Sequence, residues 1–150
     1  MNRLVVGAAL TALVACLAAC GGGGGSALTA EEFGKQLNKI CADYDASVKK
    51  IGEPGSLEEL GTKGPQLRDE FDKAIAKAED LQPPAELAKL HDQFVAKGKE
   101  LSGLIGGLID AAEKNDVGKI QELGTKAETI GNESDDLGKK LGAPACAQGD

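Results

Sequence analysis

The residues of this 150-residue chain that could do chemistry are few: one histidine, His91, and four cysteines, Cys16, Cys20, Cys41 and Cys146, in a chain rich in acid. A histidine changes charge nearest to neutrality, so it is the usual acid–base group and metal ligand. His91 stands beside Asp92, and its helical neighbours three and four residues away are Leu87, Ala88, Phe94 and Val95, none of them a ligand. The Glu-x-x-His pairs that build di-iron centres in helical bundles are therefore absent. We expect a boundary histidine, with its ring on the core and a nitrogen in water. Asp43-Tyr44-Asp45 and Glu133-Ser134-Asp135-Asp136 are acidic clusters. A cation needs several convergent oxygens, but neither cluster has EF-hand spacing and both fall on helical stretches, so a solvated acidic face is expected. No Ser/His/Asp or Cys/His set can be assembled without leaning on His91 alone. The five glycines at 21–25 are not followed by the strand–helix unit of a phosphate loop. The expectation is a protein that is not an enzyme, with no cofactor and no metal.

Charge narrows the field further. Lys and Arg number 17 against 24 Asp and Glu, a net charge of −7. A nucleic-acid binder needs a basic face to release counterions from phosphates, so none is expected here. The 21 glycines show no G-X-Y period, which excludes collagen. A length of 150 residues fits one domain.

The first residues carry an address. Met1-Asn2-Arg3 is a short basic start, and residues 4–19 contain no charge. That apolar run is shorter than the ~20 residues of a spanning helix and fits the h-region of an export signal. Leu17-Ala18-Ala19-Cys20 resembles the bacterial lipobox, an aliphatic and two small residues before Cys. The resemblance implies cleavage before Cys20, diacylglyceryl attached to its sulfur, and a protein held at the extracytoplasmic face of the membrane by a lipid. Leu13-Val14-Ala15-Cys16 fits the same pattern. Cleavage before Cys20 discards Cys16 and leaves Cys41 and Cys146 as an even pair, which favours Cys20. Residues 1–19 are then the signal peptide and 20–28 a lipidated, Gly-rich tether of r.m.s. span about 16 Å. Losing Arg3 leaves 16 basic against 24 acidic residues, a charge of −8 with no attraction to anionic headgroups. The lipid, not charge, would hold the protein there.

The remainder, 29–150, must position everything else, and its periodicity is helical throughout. Thr29-Ala30-Glu31-Glu32 and Ser56-Leu57-Glu58-Glu59 are capping-box patterns. Phe33, Leu37, Ile40 and Tyr44 open a stripe with steps of four, three and four; Leu60, Gly64, Leu67 and Phe71 do the same in the second segment. Leu87, His91, Phe94, Gly98 and Leu101 run along the third, and Ile120, Leu123, Ala127, Ile130 and Ser134 along the fourth. The spacing predicts helices over about 30–51, 57–82, 84–114 and 117–141, with a kink or short break near Pro65. Asn115-Asp116 is the last turn, with Asp116 as N-cap, and Gly142 the residue just past the final helix. No alternating β-branched run exists. The expected fold is all-α, an antiparallel up-down four-helix bundle. Small residues in core registers, Ala74, Ala78, Gly98, Ala112 and Ala127, make its core thin. Gly103 and Gly107 suggest close packing of the last two helices, or a soft Gly-lined groove.

A disulfide would compensate. In an up-down bundle the fourth helix ends where the first begins, about 17 Å below Cys41. Five extended residues after Leu141 reach at most ~17 Å, so the tail can just close a Cys41–Cys146 bridge. The lipobox, Ile40-Cys41, the Leu81-Gln82-Pro83-Pro84-Ala85-Glu86-Leu87 junction and the closing Leu141-Gly142-Ala143-Pro144-Ala145-Cys146 together resemble small helical lipoproteins of actinobacterial type. That resemblance implies location and fold, not mechanism. Two functions follow as expectations. The first is a non-enzymatic bundle presenting an interaction surface to an envelope protein or the cell wall. The alternative is a carrier holding an apolar ligand between its helices. A cleft on the order of 300 Å³ favours the carrier; a filled interior with an exposed apolar patch favours the interaction surface.

Overall fold

Thr29 starts the first helix, α1 (Ala30–Ile51), with a complete capping box: its hydroxyl accepts from the Glu32 amide while the Glu32 carboxylate takes the Thr29 amide at 3.1 Å. The computed structural model describes residues 28–147. The lipobox, Cys20, Cys16 and the tether up to residue 27 lie outside the described residues. α1 ends at Gly52, whose φ of 84° only glycine adopts cheaply. Ser56 caps α2 (Leu57–Glu79) through the Glu59 amide, but the return arm of the expected box is missing. The Glu59 carboxylate binds the Gly55 amide at 2.7 Å instead.

Pro65 does not break α2, which runs continuously through it. The carbonyl that its ring would crowd, and whose hydrogen bond it forgoes, belongs to Gly61, which has no side chain to add to the clash. The far end of α2 retreats from the expected residue 82 to Glu79, because Pro83 keeps Gln82 out of the α region. α3 (Ala88–Glu113) likewise starts four residues later than expected, since Pro84 to Leu87 closes a separate turn through Leu87 N–H and Pro84 C=O at 2.9 Å. Asn115, at φ 52°, closes α3 in a Schellman motif: its amide bonds Ala112 and the Asp116 amide bonds Ala111. Asp116 then caps α4 (Val117–Lys140) through the Lys119 amide at 2.9 Å. Gly142, at φ 76°, closes α4 in a second Schellman motif, with Gly142 bonded to Lys139 and Ala143 to Gly138. A 3₁₀ turn, η1 (Pro144–Cys146), follows.

The four helices pack in sequence as a bundle with no strand among the described residues. Alternation of direction is visible in the contacts. Tyr44 meets Phe71 while Lys63 lies near Gly52; Ile75 meets Gly98 while Ile109 meets Gly64; Lys97 pairs with Glu133 while Leu123 meets Gly107. The densest core sits at the end where the chain enters and leaves. Phe33, Leu37, Ala78, Phe94, Leu141 and Ala143 are buried together there, with Phe33 fully so. Leu28 ties the entering segment to it, its N–H donating to Gln82 C=O at 3.0 Å. Core, caps and crosslink all lie within residues 28–147. No helix among the described residues is long and apolar enough to cross a membrane.

Candidate functional site

α1 packs on α2, α2 on α3 and α3 on α4, but no Cα of α1 comes within 8 Å of one in α4. The bundle is therefore open along one seam. Of the α4 residues that line the gap, Ala127, Gly131 and Ser134 are too short to reach across; a β-carbon built on Gly131 would meet nothing within 4 Å.

At one end the tail bridges the seam. η1 contacts both α1 and α4. It does not stretch to Cys41 as the sequence geometry required. The Leu141-Gly142 turn just past α4 already lies against the start of α1, where a β-carbon on Gly34 would stand 3.0 Å from the Gly142 oxygen. The tail then climbs α1 in a compact turn. Ala145 N–H donates to the Asn38 side chain at 2.8 Å, and Cys146 bonds to Cys41 with the two Cα atoms 5.0 Å apart. Gly138 on α4 makes room, since a β-carbon there would be 2.8 Å from the Cys146 β-carbon.

Beyond the disulfide, the seam is a cleft of about 330 Å³. Its floor is apolar: Phe71, Ala74 and Ile75 from α2, Phe94 and Leu101 from α3, and Ile40 and Tyr44 from α1. Its volume lies at the low end of the range of about 300–1,000 Å³ typical of small-molecule sites. Tyr44 stands edge-on to Phe71 with ring centroids 5.4 Å apart. Burial first, and the Asp45 carboxylate second, push its phenol above the ordinary value of 10.0. The polar lining is Asp45 on the α1 lip, with Glu128, Asn132, Ser134 and Asp135 on the α4 lip. Two other recesses, one of about 470 Å³ bounded by Leu57, Glu58 and Asn115 and one of about 340 Å³ bounded by Glu100, Thr125 and Lys126, are as large or larger but more open to solvent, and their linings mix charged and polar side chains with apolar ones.

The candidate residues divide around this cleft. Cys41 and Cys146 form its end wall. Asp45, Ser134 and Asp135 line it, while Asp43, Glu133 and Asp136 of the same clusters are exposed, the solvated face expected of them. His91 is corrected: it is not a boundary residue. It is 5% exposed, its Nε2–H donates to Ala78 C=O at 2.8 Å, and Phe33 packs edge-to-face on its ring at 5.4 Å. The carbonyl fixes the tautomer, and the group is structural. No cluster of three potential metal ligands occurs among the described residues. Gly107 does pack closely on Leu123 of α4, as expected, but a β-carbon on Gly103 meets nothing within 4 Å and neither glycine lines the cleft. Sequence reasoning missed Ile75, the partner of Gly98; its position four residues after Phe71 was the available signal. It also missed Ser102, buried between α2 and α3, whose hydroxyl donates to Asp72 at 2.5 Å and accepts from Arg68 at 3.4 Å. Comparison with family models, with curated proteins and with solved structures finds no match for this chain.

Proposed function

We propose that this protein is a lipid-anchored, extracytoplasmic carrier that holds one small apolar ligand in the cleft between α1 and α4. The observation that carries the reading is the open seam: about 330 Å³ floored by Phe71, Ile75, Phe94 and Leu101 and left unfilled by Ala127 and Gly131. Apolar surface in such a cleft is worth about 25 cal/mol per Å² when a ligand covers it. The interaction-surface reading has less support. Among the described residues the one large aliphatic side chain well out in solvent is Val117, 55% exposed, which is no patch. The anchor rests on the lipobox resemblance and on Cys20.

The ligand half is tested with decanol as probe, on residues 28–150 purified oxidised. Tyr44 is the only tyrosine and there is no tryptophan, so tyrosine fluorescence reports on the cleft alone. Saturable quenching or enhancement is expected, and Ala127→Phe, which fills the cleft from α4, should abolish it while the helical circular dichroism stays unchanged. No response in the parent protein, or an equal response in Ala127→Phe, overturns the reading. The anchor half predicts that radiolabelled palmitate is incorporated by the full chain, that Cys20→Ala abolishes this and that Cys16→Ala does not. Labelling that survives Cys20→Ala and is lost with Cys16→Ala would move the cleavage point.

A further inference from the structure

We propose that the cleft selects a cationic single-chain amphiphile, a ligand with an alkyl tail and a positively charged head; this rests on the carrier reading above. Apart from Tyr44, every ionisable side chain lining the cleft is an acid: Asp45 on one lip, Glu128 and Asp135 on the other, with no Lys, Arg or His among them. None of the three is ion-paired among the described residues. Their charge is left uncompensated, as it is for eleven other acids among the described residues, while nine acids, Glu31, Glu59, Glu70, Glu79, Glu122 and Glu133 among them, have Lys or Arg partners. Lys49 and Lys139 each stand one helical turn beyond an acid of the cleft without pairing with it. Glu128 and Asp135 are seven residues apart, two turns on one face of α4, so the acids extend along the mouth for about 10 Å.

The consequence is a division by charge. The tail would lie on the Phe71, Ile75 and Phe94 floor, and the head would sit between the lips. An ammonium there gains attraction from both walls, whereas a carboxylate of the same length meets three like charges. The chain's net charge of −7 adds a long-range field of the same sign, drawing cations to the mouth and repelling anions. The volume limits the occupant to a small molecule rather than a peptide helix.

The test compares dodecylammonium, dodecanol and dodecanoate on oxidised residues 28–150 at neutral pH, each below its micelle concentration, read by Tyr44 fluorescence. The proposal expects dodecylammonium to bind about tenfold more tightly than dodecanol, with dodecanoate weakest. The preference should shrink as salt is raised from 10 mM to about 500 mM, because exposed charges are screened beyond a few ångströms there. Asp45→Asn/Glu128→Gln/Asp135→Asn should bring the three affinities together while dodecanol binding stays. Equal or tighter dodecanoate binding, or a salt-independent preference, overturns the charge selection and leaves the carrier standing. Failure of all three probes to bind overturns the carrier, and this proposal with it.

Discussion

At the scale of single residues, two side chains decide how the site is read. His91 was the one obvious chemical candidate in the sequence, and it is spent on Ala78 and Phe33. Periodicity placed it on the core stripe, but nothing in the sequence says that a carbonyl of the neighbouring helix would face its ring. Replacing it, His91→Leu, should cost about 1–2 kcal/mol of stability in denaturant unfolding, from one buried hydrogen bond, with ligand affinity unchanged. A loss of binding at unchanged stability would return His91 to the site. Tyr44 is the converse, an unremarked core residue in the sequence that becomes the reporter of the cleft. Its phenol titrates above 10.0 in the folded state because ionisation there is opposed by burial and by Asp45. A pKa raised by folding gives stability that is present below pH 10 and lost as pH rises through the folded value. Tyrosinate absorbance should therefore titrate above pH 10 in the native protein, with stability falling over the same range; titration at the ordinary value would mean that Tyr44 lies in open water.

At the scale of elements, helix positions were legible and helix pairing was not. Caps and stops are local chemistry, so Thr29, Asp116 and Gly142 could be read directly; the misreadings were the second arm of the Ser56 box, which Gly55 takes, and the Pro83-Pro84 junction, where two helices gave up residues to proline sterics. Which helices touch depends on whether facing side chains reach each other. The small residues of α4 foreshadowed a thin core, but only the assembled bundle turns Ala127, Gly131 and Ser134 into an unclosed seam. Two glycine variants separate these cases. Gly131→Ala places a methyl in open space and improves helix propensity, so it should stabilise by about 0.5–1 kcal/mol. Gly34→Ala pushes a methyl against the Gly142 backbone, which cannot swing aside, and should destabilise by about 1–3 kcal/mol. Thermal unfolding measures both, and equal effects would contradict the placement of the tail. Along α4, Lys126 and Lys119 hold the Glu122 carboxyl down at about 2 from its ordinary 4.5. A carboxyl lowered by folding contributes stability above pH 4.5 that is lost as pH falls toward 2, and its exposure to solvent keeps that contribution small.

At the scale of the whole molecule, an open seam is a structural liability that the disulfide offsets. Joining residues 105 apart stabilises by about 4–5 kcal/mol in the chain-entropy model. The bond also pins η1 across the end of the cleft, so Cys41→Ser/Cys146→Ser should lower the unfolding free energy by about that amount and weaken ligand retention together. A carrier opened along one side needs such a clamp; a filled bundle presenting its exterior does not. The most direct measurement of the central claim is the affinity of residues 28–150 for a homologous series of linear alcohols, from hexanol upward, by calorimetry. If the cleft holds the chain, each added methylene should tighten binding about fourfold, equivalent to about 0.8 kcal/mol. The gain should then stop once the cleft of about 330 Å³ is full, and stop sooner in Ala127→Phe. A gain that continues without a plateau, or a series indifferent to Ala127→Phe, would show that the alcohols bind elsewhere and would contradict the account.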